Sequence, residues 1–166
     1  IVTLGPVSSA HFNPAVTLVI AMRREIAPGE ACGFALAQIA GCCAGVIYAH
    51  LMFGLPAVQM GAANRAGLGP ILGEAAATMV LVFAILAARR HGLIVTAACV
   101  ALTITAGYWW TASSSFANPA ITLARALTDT FAGVRPQDVP GFLAGQVAGA
   151  LLGLLAGSAF ASEERP

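Results

Sequence analysis

Two asparagines carry the chemistry that this chain offers. Asn13 opens the run Asn13-Pro14-Ala15-Val16-Thr17-Leu18, and Asn118 opens Asn118-Pro119-Ala120-Ile121-Thr122-Leu123. Asparagine followed by proline is a helix start. The Asn side chain caps a free backbone N–H, and proline fits the first turn because it has no donor of its own. The cap uses the amide oxygen, so the NH2 group stays available to a passing oxygen atom. Each helix start is also the positive end of a dipole. Two such ends at one point disfavour cations and a continuous proton wire, and suit neutral molecules with hydroxyl oxygens. No nucleophile–base pair and no metal-ligand spacing accompanies them, so the pattern does not read as an enzyme and calls for no cofactor and no metal.

The segments that follow the two asparagines are short. Ala15 to Met22 is stopped by Arg23, Arg24 and Glu25, and Ala120 to Leu127 is stopped by Asp129. With its start, each is about ten residues, or about 15 Å, half of a hydrocarbon core of about 30 Å. Either one alone would read as an interfacial helix or a loop, but they repeat. Ser8-Ser9-Ala10 precedes the first and Ala112-Ser113-Ser114-Ser115 the second. Each is followed by an apolar run containing glutamine and small residues, Gln38-Ile39-Ala40-Gly41 and Gln146-Val147-Ala148-Gly149. The Asn-to-Gln separation is 25 residues in one half and 28 in the other. A duplicated unit of half-helix plus spanning helix accounts for this.

Four stretches are long enough to span a bilayer: Glu30 to Phe53, Gly69 to Ala88, Gly92 to Thr111 and Val139 to Phe160. Of the 166 residues, 58% are hydrophobic and 9% charged, against about 25% charged in soluble domains. The net charge of +1 gives no reason to expect nucleic acid. Three spans separate the two Asn-Pro-Ala copies, so the second copy enters from the opposite side and the halves are inverted. With the first half-helix on the inner side, Arg23, Arg24, Arg89, Arg90 and Arg165 fall inside and Arg65, Arg125 and Arg135 outside. That excess agrees with the positive-inside rule. The fold class expected is an all-α membrane protein with an inverted repeat. It forms one channel domain over 1–166, with a first repeat at 8–53 and a second at 69–166.

Other residues read as support. Glu74 is the one acidic residue deep in an apolar run; it is expected to accept hydrogen bonds from the N–H groups of a re-entrant loop, although a coupled transporter could use it. His11, two residues before Asn13, is expected to fix its loop, and His50 and His91 read as structural. Gly145, Gly149 and Gly153 form a small-residue ladder for close helix packing. Cys32, Cys42, Cys43 and Cys99 have neither disulfide-framework nor zinc spacing and read as small apolar helix residues. Tyr108, Trp109 and Trp110 stand where aromatics meet the membrane surface.

The run Ser9-Ala10-His11-Phe12-Asn13-Pro14-Ala15-Val16-Thr17 closely resembles the first signature loop of aquaporins and aquaglyceroporins. The second Asn-Pro-Ala copy, Gln38, Gln146 and Glu74 fall where that superfamily has counterparts. The resemblance implies six spanning helices and two half-helices, homotetramers with one pore per subunit, and a chain that here lacks the first helix and most of the second. It also implies a filter made of Ile121, where the superfamily usually has arginine, Ala106 with Gly107 beside it, and Ser115. A ring without that charge would admit neutral solutes larger than water. Phe116 to Phe142 resembles a bacterial branch associated with arsenic resistance, which implies a bacterial inner membrane and, as candidate solutes, water, polyols and uncharged metalloid acids or organic arsenicals. The alternatives are a water-selective pore, with Arg125 or the second helix restoring the constriction, a gradient-coupled transporter, and a non-conducting fragment.

Overall fold

The computed structural model describes residues 1–162; Arg165, counted above on the inner side, lies outside them. The described residues form helices and connecting loops. After a single turn, α1 (Gly5–Ser8), come the half-helix α2 (Pro14–Met22), the long α3 (Pro28–Met52), α4 (Leu68–Ala88) and α5 (Leu93–Trp110). A second half-helix, α6 (Pro119–Arg125), and the long α7 (Val139–Ser162) complete the chain.

Four helical segments are long and apolar enough to cross a membrane: Pro28–Met52, Leu68–His91, Leu93–Trp110 and Pro136–Phe160. They coincide with the four stretches expected from hydropathy, with small shifts at the ends. α3 begins at Pro28 rather than Glu30, because proline suits the first turn. Gly92, with φ +94°, reverses the chain between α4 and α5 after a short turn of 3-10 helix at Arg89–His91.

The half-helices start as the sequence predicts. Asn13 and Asn118 are extended, with φ −154° and −156°, and each side-chain oxygen accepts an N–H of the following turn. α2 stops at Arg23, with Arg24 at φ +60°, and α6 stops within two turns.

The most extensive packing joins α4 to α7. Gly141, Gly145, Gly149, Gly153 and Gly157 form one stripe at four-residue spacing along α7. A Cβ on Gly149 would overlap the Ala75 carbonyl oxygen, and one on Gly153 would stand 2.7 Å from that of Met79. The two backbones therefore touch, as small residues permit in apolar surroundings. α2 lies across this pair. Val16 and Ile20 pack with Ala77, Leu81 and Val100, while Ala15 and Val19 pack with Val82, Leu86 and Ala150. On α3 only His50 is buried, and Leu36, Tyr48 and Leu51 are exposed.

Candidate solute path

The starts of the two half-helices meet and clasp each other. The Asn13 amide Nδ2 donates to the Ala117 carbonyl at 2.7 Å, and the Asn118 Nδ2 donates to the Phe12 carbonyl at 2.9 Å. Each acceptor is the residue immediately before the other asparagine. Each amide oxygen caps its own helix, from Ala15 N–H at 2.9 Å and from Ala120 N–H at 3.0 Å. One N–H of each amide is thus committed to protein, and each NH2 retains a second.

The two loops have the same backbone shape. Left-handed residues stand at Ser9, Ala10 and Phe12 before Asn13, and at Ser114, Ser115 and Ala117 before Asn118. These are the fourth, third and first residues ahead of the asparagine in both copies. None is glycine, so each conformation costs on the order of 1 kcal/mol and needs surrounding structure to hold it.

Glu74, with no exposed surface, holds the second loop. Its carboxylate accepts the N–H of Phe116 at 2.8 Å and of Ala117 at 2.7 Å, together with the Gln146 amide from α7. Gln146 also donates to Thr122 Oγ1 at 2.7 Å, and Thr122 donates to the Asn118 carbonyl at 2.9 Å. The first copy repeats part of this arrangement. Gln38 donates to Thr17 Oγ1 at 3.1 Å, and Thr17 to the Asn13 carbonyl at 3.1 Å. His11 Nδ1 lies 3.3 Å from the same Thr17 hydroxyl, and its ring centre is 5.6 Å from that of Phe34, so it ties its loop to α2 and α3.

A cavity of about 500 Å3 runs beside the clasp and is lined by Asn13, Asn118, His11 and Ile121. Its opposite wall is aliphatic, from Val16 and Ile20 of α2, Leu81 and Ile85 of α4, and Val100 and Ile104 of α5. Sequence reading located these helices but not which face of each turns inward. The cavity thus pairs a few amide donors with an apolar wall, an arrangement suited to small neutral molecules.

From the clasp the half-helices run to opposite ends. Just beyond α2, Glu25 binds Arg89 at the end of α4. α6 instead ends beside the segment before α4, where Gln59 and Gly61 donate to the Leu127 and Ala126 carbonyls. Arg89 lines the cavity at the end where α2 stops. Both Glu25 oxygens accept from it at 2.9 Å, and Arg23 adds a bond of 2.7 Å. The Arg89 hydrogen bonds hold the Glu25 carboxyl below its ordinary range.

At the other end the filter residues expected from the sequence fall in different places. Ile121 lines the cavity. Gly107 is buried against Ser115, whose hydroxyl a Cβ there would overlap. Ala106 stands about 200° round α5 from the cavity-lining Ile104, on another face. The face that carries Val100 and Ile104 continues instead to Gly107 and Tyr108.

Arginines surround the next turn. The Arg125 guanidinium lies 4.2 Å from the centre of the Phe116 ring, and that of Arg65 lies 5.1 Å from it. Arg65 comes from the loop between α3 and α4 and was not singled out by sequence reading. Its side chain donates to the Gly133 carbonyl at 2.8 Å and the Phe131 carbonyl at 2.9 Å. His50 ties the same end together, 3.0 Å from the Ala57 carbonyl and 2.8 Å from Thr128 Oγ1.

Comparison with known proteins agrees with this geometry. The family model described as Major intrinsic protein matches residues 1–92. Aquaglyceroporin AqpS of Rhizobium meliloti (strain 1021) is 47% identical over 151 residues, which cover 91% of this chain and 65% of AqpS. Lens fiber major intrinsic protein of Gallus gallus is 36% identical over 78 residues, 46% of this chain and 29% of that protein. The chain therefore spans less than two thirds of the length of either relative. Two capped half-helices, four apolar helices and a family match over more than half of its residues together make this chain a multi-pass integral membrane protein of the major intrinsic protein family.

Proposed function

We propose that this chain forms the path of a passive channel for small uncharged solutes, wider than a strict water pore. The observation that carries the reading is the cavity beside the Asn13–Asn118 clasp, with Ile121 on its outer wall. Two positive helix ends and two amide donors favour neutral oxygen-bearing solutes over cations. An aliphatic side chain at Ile121 leaves room and removes hydrogen-bonding demand, which suits polyols and uncharged metalloid acids or organic arsenicals. The likeness to a rhizobial aquaglyceroporin supports the polyol class. A homotetramer with one path per subunit, in a bacterial inner membrane, is part of the same proposal. Glu74 favours the channel over a coupled transporter, since its carboxylate already accepts three donors and has no exposed surface.

The test is stopped-flow light scattering on proteoliposomes of the full-length gene product, with glycerol as osmolyte. Re-swelling faster than in empty liposomes is expected, independent of any proton or sodium gradient. Shrinkage without re-swelling would identify a water-selective pore.

A further inference from the structure

We propose that Arg125, reinforced by Arg65, is the cation barrier of this path, set one helical turn outside the narrow ring. The inference rests on the channel reading above. Position 121, which lines the cavity, carries no charge. Arg125 is four residues further on and so shares its face of α6. It lines a separate outer recess of about 550 Å3, together with His50, Thr128 and Phe131. The two recesses are linked by one turn of α6, from Ile121 to Arg125, and by Tyr108, which neighbours Arg125 at the end of the α5 face that lines the cavity.

The placement is built. The Arg125 guanidinium is held 4.2 Å from the Phe116 ring centre, and the Tyr108 hydroxyl at the end of α5 neighbours it. Arg65 approaches the same ring at 5.1 Å and is fastened by the Gly133, Phe131 and Ser113 carbonyls. Among the described residues, neither guanidinium is ion-paired with a carboxylate. Phe116 itself is anchored, since its N–H is bound by Glu74. Two guanidinium groups thus stand at one anchored aromatic ring, drawn to it by the ring's negative face, with the Glu74 carboxylate acting on both from further off.

Such a device separates two properties that a single filter arginine combines. Charge is repelled at the outer turn, where the guanidinium groups lie against Phe116. Size is set one turn deeper, at Ile121, by an aliphatic side chain. The path can then be wide for neutral molecules and still closed to protons and ammonium-type ions.

The experiment uses the full-length protein in proteoliposomes. Glycerol permeability and the entry of protons and methylammonium are measured on the same preparations, per reconstituted molecule, for wild type, Arg125→Leu, Arg125→Gln and Arg125→Lys. Arg125→Leu and Arg125→Gln are expected to raise cation entry roughly tenfold, while glycerol permeability changes less than about twofold. Arg125→Lys is expected to restore exclusion, because it keeps the charge. Cation entry at the wild-type level in both neutral variants overturns the proposal. So does loss of glycerol flux with cations still excluded, which would make Arg125 a wall residue. Gln keeps a polar head on a shorter stem, so it supplies the reading if Leu fails to reconstitute. A wild type that moves no glycerol above empty liposomes would instead fail the channel reading itself.

Discussion

Asn13 and Asn118 are each held by the other's loop, through bonds of 2.7 Å to the Ala117 carbonyl and 2.9 Å to the Phe12 carbonyl. Neither half-helix start is therefore positioned independently. Replacing either asparagine by alanine removes a cap and a cross-loop hydrogen bond, about 2 kcal/mol together. The double variant should cost less than the sum, by at least about 0.5 kcal/mol, because the first substitution already loosens the second loop. A double-mutant cycle on thermal unfolding in detergent measures this. Strict additivity would mean that the two loops are held separately.

Glu74 is the anchor of the second loop. Glu74→Gln keeps one acceptor oxygen but puts an NH2 group against N–H donors. The expected loss is about 2–4 kcal/mol, from bonds that each contribute about 1.5–3 kcal/mol when one partner is charged. Glu74→Ala should lose more and reduce solute flux as well, since Phe116 and Ala117 precede Asn118 directly. The melting temperature in detergent, with flux per reconstituted molecule, checks both. Unchanged stability in Glu74→Gln would show that the loop holds its shape unaided.

Ile121 sets the width of the outer ring in this account. Ile121→Arg adds bulk and donors to the cavity wall. Glycerol permeability should fall by about tenfold or more while water permeability persists, as a narrower, more strongly hydrogen-bonding ring predicts. Stopped-flow measurements with the two osmolytes compare them directly. Equal glycerol flux in the variant would remove Ile121 from the filter.

The end closed by Glu25 and Arg89 should respond to acid. Arg89 lowers the Glu25 carboxyl below its ordinary value of 4.5. A depressed carboxyl contributes its stabilisation in full above that ordinary value, and loses it as pH falls through the lower, folded value. Wild type should therefore lose the Arg89–Glu25 tether progressively below pH 4.5. Glu25→Gln should lack that component at every pH. The difference between the two melting curves across this range isolates it, and parallel curves would show that the tether adds nothing. The pair is largely exposed, so the effect should also shrink as salt is added.

What the sequence made legible was local or periodic. Asn-Pro is a helix start wherever it occurs, so α2 and α6 could be found by eye. Hydropathy found the four spans, and four-residue spacing found the middle of the glycine stripe. The filter was harder, because counting back from Asn118 crosses the Thr111–Ala117 loop before it reaches α5. A count across a loop does not carry helical phase, and Ala106 falls on a different face of α5 from Ile104. Arg65 entered the charge count, but nothing marked what it would hold. It sits in a non-periodic loop, and its partners lie 48 to 68 residues away. The left-handed backbone at Ser9, Phe12, Ser115 and Ala117 was equally hidden, since glycine and asparagine usually mark such positions and here neither does.

The glycine stripe of α7 has a consequence for how such a path could be opened or shut. Backbone meets backbone at Ala75 and Gly149, so the two helices have no cushion of side chains on which to slide. α4 carries Glu74, which binds the loop that presents Asn118, and α7 carries Gln146, which binds Glu74 and Thr122 of α6. A slip of one residue along this seam, about 1.5 Å, would part Gln146 from the Glu74 carboxylate that holds that loop. The middle of the molecule is therefore a fixed frame. The side chains that can swing while this frame stands still lie at its two ends, in the Glu25–Arg89 tether and the Arg65–Phe116–Arg125 cluster.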